Sequence, residues 1–560
     1  MKYFLLSLII PLTLLTYAQQ TASSNTEKYP NVKWCKKLKI AKKKIADGSY
    51  YNAAQYLEDA YKDKPTKIVI PHLLGEVNRK LRDYQAAEKY YGEAVKIDPE
   101  AYSNDQFYLA QMQKMNGKYE DAKKTFNDYL KVKLGKKDVS LKALAKVEIE
   151  GCDTALALLK APSKIKVTRT EGNVNSTIQD FAPKPLKDKI LFSSQKTDTA
   201  VNITTSKANY YTSIFTADKA GKVYTGKMEL PVPPNDPQSS TANAILSNDG
   251  NTLIYTKCFD SITADNRIRC KLFRSTKKND LEWNVGEELK SLNNEDGNKT
   301  EPAWGLDADG SNILYFVSDR KGSKGLDIYY AKINSDGTFG AIQPAGKEIN
   351  SEGDDVTPFY DAKNKTLYFS SDGHPSIGGL DVFKSIGVPG NWGPAVNAGI
   401  PINSPADDLY LALDDKAAKG FMVSNRVGTT SPRGATCCDD IWTVIIQNDV
   451  TLQVTYVKRG DPAPTPITGV DASLYKVSGN NFDFVGNAIT TSAPALFSPM
   501  NRGTSYKING NKEGYWPSID NLTIDEEEDR DTIEKTFYMD PIIKIHIKIP
   551  NVYFAFDKSD

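Results

Sequence analysis

The side chains best able to do chemistry in this chain are its six cysteines, and their spacing sorts them into three cases. Cys258 and Cys270 flank a polar loop between two strand-like runs, so a hairpin there would bring them face to face as a disulfide. Cys437 and Cys438 are adjacent, and neighbours cannot form an ordinary bridge with each other without strain. With Asp439 and Asp440 they offer metal-ligating types, but ligands at consecutive positions lack the spacing of zinc sites, so no metal site is expected. The pairing of Cys35, Cys152, Cys437 and Cys438 stays open.

Histidine is scarce: three, against 30 tyrosines and 20 phenylalanines, which leaves the chain short of its most versatile acid–base group. His374 falls in a glycine-rich gap, where a lone histidine is more often exposed than set against a ligand. Residues 307–312 read like half a calcium loop but lack the acidic ligand at its twelfth position, so a β-turn is the better account. Residues 221–227 begin like a phosphate loop, yet Met228 stands where Ser or Thr is required and no helix opens there. A propeller-gated hydrolase would need a Gly-x-Ser-x-Gly turn in a further α/β domain, and the stretch after Gln447 has neither. No catalytic, cofactor-binding or metal-binding residue is therefore assigned, no cofactor is expected, and the chain is expected not to be an enzyme.

The elements that would carry these residues are repeats. Five copies of one strand pattern lie between residues 176 and 447. The clearest runs from Asn312 to Arg320, then a glycine-rich gap, then Leu326 to Ala331; the next runs from Thr366 to Gly373 and Leu380 to Lys384. Ser318, Ser371 and Ser424 recur at equal intervals of about 53 residues, a period that signals propeller blades. One such sheet cannot bury both faces, so the sheets stack radially and close a ring. Tyr315, Phe316, Tyr368 and Phe369 are expected in its core. The Ser-Asp-Arg/Gly and Leu-Asp-Ile/Val-aromatic phrases resemble the PD40/TolB-like propellers. The period predicts five blades over 163–447, or six if residues 164–176 build a further one.

Residues 29–161 have helical periodicity instead. Tyr51, Tyr84 and Tyr119, each with an alanine two or three residues on, repeat at about 34 residues. This resembles tetratricopeptide repeats, a solenoid whose concave groove binds a protein segment. The Lys36, Lys37, Lys39, Lys42, Lys43 and Lys44 cluster is read as a solvated face of the first helix. From 450 to 541 several short alternating strands argue a β-sandwich, whose order resembles the carboxypeptidase regulatory-like domain. Residues 548–560 contain Phe554, Phe556, Asp557 and Lys558, a phrase that resembles the first strand of an OmpA-like domain. The peptidoglycan-contacting residues of that family would lie downstream of Asp560 and are unknown here.

A charge of +1 gives no support to a nucleic-acid partner. Residues 1–18 read as a secretory signal, and no later run is long and apolar enough for a transmembrane span. The expected location is the periplasm, associated with the outer membrane and cell wall. The overall class is a multidomain α plus all-β protein: helical solenoid, propeller, sandwich and an incomplete OmpA-like start. That order resembles the OmpA-family periplasmic proteins of Bacteroidota, including the peptidoglycan-associated component of the type IX secretion and gliding apparatus. The resemblance implies a scaffold holding outer-membrane and periplasmic proteins through its groove and propeller, and peptidoglycan through the domain past Asp560. The alternatives are a TolB-like propeller binding a peptide or glycan and, far behind, a propeller-associated hydrolase.

Overall fold

The computed structural model describes residues 32–132, 139–161, 163–195, 211–260, 268–280, 282–293, 297–431, 433–446, 450–525, 528 and 530–543. The expected signal segment 1–18 and the strand at 548–560 lie outside the described residues. The chain forms two compact units, Met1–Ile446 and Gln447–Asp560.

The first unit opens with helices α1 (Trp34–Ala46), α2 (Tyr50–Asp63), α3 (Val69–Lys80), α4 (Tyr84–Ile97), α5 (Asp105–Met115), α6 (Tyr119–Lys131) and α7 (Val139–Leu158), each packed on the next. The contacts close on small residues: Ala53, Ala54, Ala87 and Ala122 are fully buried. Gly75 shows why size matters, because a Cβ there would meet the Tyr91 ring at 2.6 Å. Asp83 caps α4 by accepting the Ala86 N–H at 3.2 Å. On α1 the expected lysine face is solvated with one exception. Lys37 turns inward and pairs with Asp63 at 2.9 Å.

Five sheets follow among the described residues. The first comprises Asp180–Pro185, Lys189–Gln195, Thr212–Ala220 and Val223–Glu229, and the second Ser240–Leu246, Thr252–Asp260, Ile268–Thr276 and Glu287–Glu288. The third comprises Thr300–Leu306, Asn312–Ser318, Asp327–Lys332 and Gln343–Pro344. The fourth comprises Asp355–Asp361, Thr366–Ser371 and Asp381–Val388, with Asn391–Trp392 and Val396–Asn397 both paired to the last of these. The fifth comprises Asp408–Leu413, Lys419–Ser424 and Asp440–Ile446, closed on its far edge by Ile165–Arg169. Within residues 164–176 the strand Ile165–Arg169 thus joins this sheet.

The first strands of the five sheets touch in cyclic order, the fifth returning to the first, so the sheets close a propeller-like ring. One asparagine stitches each joint. Asn235, Asn293, Asn350, Asn403 and Asn175 each precede the inner strand of one sheet. Each donates to and accepts from a single backbone residue in the third strand of the sheet before: Ile214, Leu272, Ile328, Val382 and Ile441 respectively. A primary amide can satisfy one backbone N–H and one C=O at once, which is what a joint between two twisted sheets leaves open. Tyr315, Phe316 and Phe369 are buried as expected, while Tyr368 is only partly so.

The second unit is a sandwich. Val450–Lys458 lies between Ala495–Met500 and, in parallel, Thr532–Met539. Its inward residues Leu452, Val454 and Tyr456 share a core with Leu474, Tyr506 and Ile508 of a four-stranded sheet ordered Asn481–Ile489, Asp471–Ser478, Thr504–Asn511, Ser518–Ile524.

Candidate functional site: helical groove and ring axis

The helices meet the ring along one edge, and charged side chains fasten that edge. Arg82 sits in the α3–α4 turn with φ 58°. Its guanidinium donates to Asp439, lies 3.7 Å from Asp407, and its own carbonyl accepts from the Thr436 hydroxyl at 2.6 Å. The Asp439 charge holds Arg82 firmly protonated, while burial pushes the Asp439 carboxyl up against the pull of Arg82. Tyr84 donates to Asp407 at 2.9 Å and accepts from the Asn425 amide at 3.0 Å. Arg433 reaches back from the ring to Glu58 at 2.6 Å and Asn78 at 3.0 Å. Farther along, the buried Lys114 ammonium pairs with Glu148 of α7 and donates to the Ser376 carbonyl at 3.2 Å.

The other side of the solenoid is open. A cavity of about 550 Å³ lies where α1, α3 and α5 come together, lined among others by Tyr50, His72, Glu76, Tyr102, Asp105 and Tyr108. His72 stacks on Tyr102 with centroids 3.7 Å apart and meets Asp105 Oδ1 through Nδ1 at 2.8 Å. Glu76 is held by the Tyr91 hydroxyl at 2.7 Å, and Arg79 lies 4.3 Å over the Tyr108 ring. The periodicity placed the groove; nothing in the sequence marked His72 or Asp105.

The ring axis carries a second polar cluster. Each inner strand has a bulge, and one residue of each bulge takes a positive φ: Ala182, Asn243, Glu301, Thr357 and Tyr410, all between 52 and 54°. Non-glycine residues rarely adopt this conformation, so five in register mark a constraint of the ring. The Tyr410 hydroxyl lies 3.1 Å from both Asn243 Oδ1 and Glu301 Oε1. Those two residues belong to the second and third sheets, which are not its neighbours, so the hydroxyl spans the axis. Glu301 Oε2 accepts the Thr357 N–H at 2.6 Å. Burial lowers Lys184 to about 8, with Glu301 acting against the shift. Burial likewise raises the Glu301 carboxyl.

The residues singled out from sequence lie elsewhere. Cys258 and Cys270 are opposite each other in the strand register of the second sheet and are joined there, with Cα atoms 4.0 Å apart. Cys437 and Cys438, whose pairing the sequence leaves open, are bonded to each other. Their loop is pinned on both sides by Thr436 and Asp439, which hold Arg82. Cys35 is exposed and Cys152 buried, both as free thiols. His374 is not the exposed loop residue expected. It packs 5.2 Å from the Phe383 ring, bonds the Ile349 carbonyl through Nε2 at 3.0 Å, and burial pushes its basicity down. Lys227, in the segment that began like a phosphate loop, is spent on Asp180 at 3.2 Å and Ser194 at 2.9 Å.

No protein-family profile matches the chain, and no curated protein matches it. Solved structures similar in fold include the first tetratricopeptide domain of Spaghetti (RPAP3) bound to an HSP90 peptide, at 20% identity over 22% of this chain and 94% of that one, TM-score 0.19. They also include a thermostable family-43 glycoside hydrolase, at 13% identity over 60% of this chain and 100% of that one, TM-score 0.32. A third is Zg3597, a family 117 glycoside hydrolase of Zobellia galactanivorans, at 16% identity over 51% and 91%, TM-score 0.35. These neighbours correct the expectation that the chain is not an enzyme. That expectation rested on a missing serine turn, whereas glycosidases work with paired carboxylates and need no such turn. Likeness at this level carries no activity over to this chain.

Proposed function

We propose that this chain is a scaffold that holds a segment of a partner protein in the groove of α1, α3 and α5, with the ring as its rigid base. The observation that supports it is the contrast of the two solenoid sides, one pinned to the ring by Arg82, Tyr84 and Lys114, the other open over a cavity of about 550 Å³. We read the ring as a propeller of five blades. The finer reading follows the order of modules. The chain works in the periplasm, ties an outer-membrane complex of the type IX secretion and gliding kind to the cell wall, and reaches peptidoglycan through an OmpA-like domain begun at 548–560. Affinity capture of the tagged chain from cross-linked cells, followed by mass spectrometry and muropeptide analysis, tests this. Outer-membrane proteins together with muropeptides are the expected yield. Recovery of cytoplasmic proteins alone would overturn it.

A further inference from the structure

Asp105 opens α5 with 3% of its surface exposed. Its Oδ1 faces His72 at 2.8 Å, but its Oδ2 is buried without any partner. An acidic residue in the first turn of a helix commonly serves the helix end itself. That role does not account for an oxygen that meets no donor, and buried polar atoms of this kind are rare. Asp105 belongs to the wall of the groove cavity, and Tyr50, Tyr102, Tyr108 and Glu76 share that wall. Aromatic faces attract cations, and a carboxylate without a donor calls for one. The cations already present there do not fill the need: His72 is turned to Oδ1, Arg79 lies over the Tyr108 ring and donates to Tyr91 and Glu76, and Lys80 is exposed at the rim.

We propose that the cavity takes the ammonium or guanidinium end of a lysine or arginine side chain from the bound partner segment, with Asp105 Oδ2 as its acceptor. This rests on the groove reading above and names what the groove recognises. Burial pushes the Asp105 carboxyl up against the pull of His72. A cation delivered to the free oxygen favours the charged form and offsets that desolvation. A neutral amide would satisfy the oxygen without balancing its charge. An acidic side chain would meet repulsion from Glu76 and Asp105 together.

The test selects a phage-displayed library of random dodecapeptides on the purified full chain and measures the enriched peptides by fluorescence anisotropy. The enriched peptides should share a lysine or arginine at one position. Acetylating that lysine, or replacing the basic residue by methionine, should weaken binding by about tenfold or more. Asp105→Asn should weaken it comparably, and Glu76→Gln serves as the second variant if Asp105→Asn lowers the melting temperature. Glu287→Gln, on the second sheet, should leave affinity unchanged. Peptides that lose binding with Tyr102→Ala but carry no common basic residue overturn this inference and leave the groove reading intact. No enrichment, or peptides indifferent to Tyr102→Ala, would sink the groove reading and this inference with it.

Discussion

The two sides of the helical solenoid are built from the same residue types and are finished differently. On the ring side Arg82, Tyr84 and Lys114 find carboxylates, a carbonyl and an amide; the links to Asp439, Asp407, Asn425 and Ser376 cross from helices to ring, while Lys114 also pairs with Glu148 within the helices. On the groove side His72 and Glu76 are engaged locally, and Asp105 keeps an oxygen with no donor. Charge that is paired at depth serves to hold; charge left unpaired at depth is costly unless something arrives to pair it. On the reading proposed above, the ring edge serves assembly of the molecule and the groove serves an outside partner.

Removing a ring-edge charge should therefore have the largest effect. Arg82→Ala leaves Asp439 and Asp407 enclosed without their cation, and truncating one member of such a cluster costs roughly 3–5 kcal/mol. Thermal melts should show that loss, and a change under about 1 kcal/mol would mean the edge is not what binds helices to ring. Lys114→Met should cost somewhat less, about 3 kcal/mol, by leaving the Glu148 carboxylate enclosed without its ammonium partner. In the double variant Lys114→Met with Glu148→Leu, much of that loss should return, since an apolar pair can replace a buried ion pair.

Asp105→Asn should cost under about 1 kcal/mol, because the His72 contact can be kept and a desolvated charge is removed. A large destabilisation by urea titration would show that the groove side also holds the fold, and would erase the distinction.

A separate expected effect is a pH dependence in the ring. Burial and the neighbouring Asp408 raise Asp381 to about 7, and burial raises Asp355 to about 6. These groups bind protons more readily folded than unfolded, so their contribution to stability is present below about pH 4 and is lost as pH rises through the folded values. Asp381→Asn removes one such term. The stability advantage of the unmodified chain over Asp381→Asn should therefore shrink between pH 5 and pH 8, and a widening gap would contradict the assigned direction.

Much of this architecture can be read from periods, and little of the site can. Ser318, Ser371 and Ser424 mark the ring because each ends the second strand of its sheet, a position every sheet must repeat. The five stitching asparagines obey the same logic. Their phrase is visible as Asn350-Ser351 and Asn403-Ser404, but Asn235 and Asn293 stand in different company and lengthen the spacing. The pairing of the adjacent Cys437 and Cys438 is not legible in the sequence, because Thr436 and Asp439 on either side of them are held by Arg82, far off in the chain. Arg82, Asp105 and Tyr410 carry no local signal at all. Each gains its meaning from residues hundreds of positions away or from a helix two turns of chain removed, as Arg82 does from Asp439.

The most direct test of the account is hydrogen exchange on the full chain, with and without a selected basic peptide. The α3–α4 turn around Arg82 should be protected from the start and stay unchanged on binding, while α1, α3 and α5 should gain protection around the cavity. Protection gained instead at the ring axis around Glu301 and Tyr410, with the groove unchanged, would place the partner in the propeller and contradict the account.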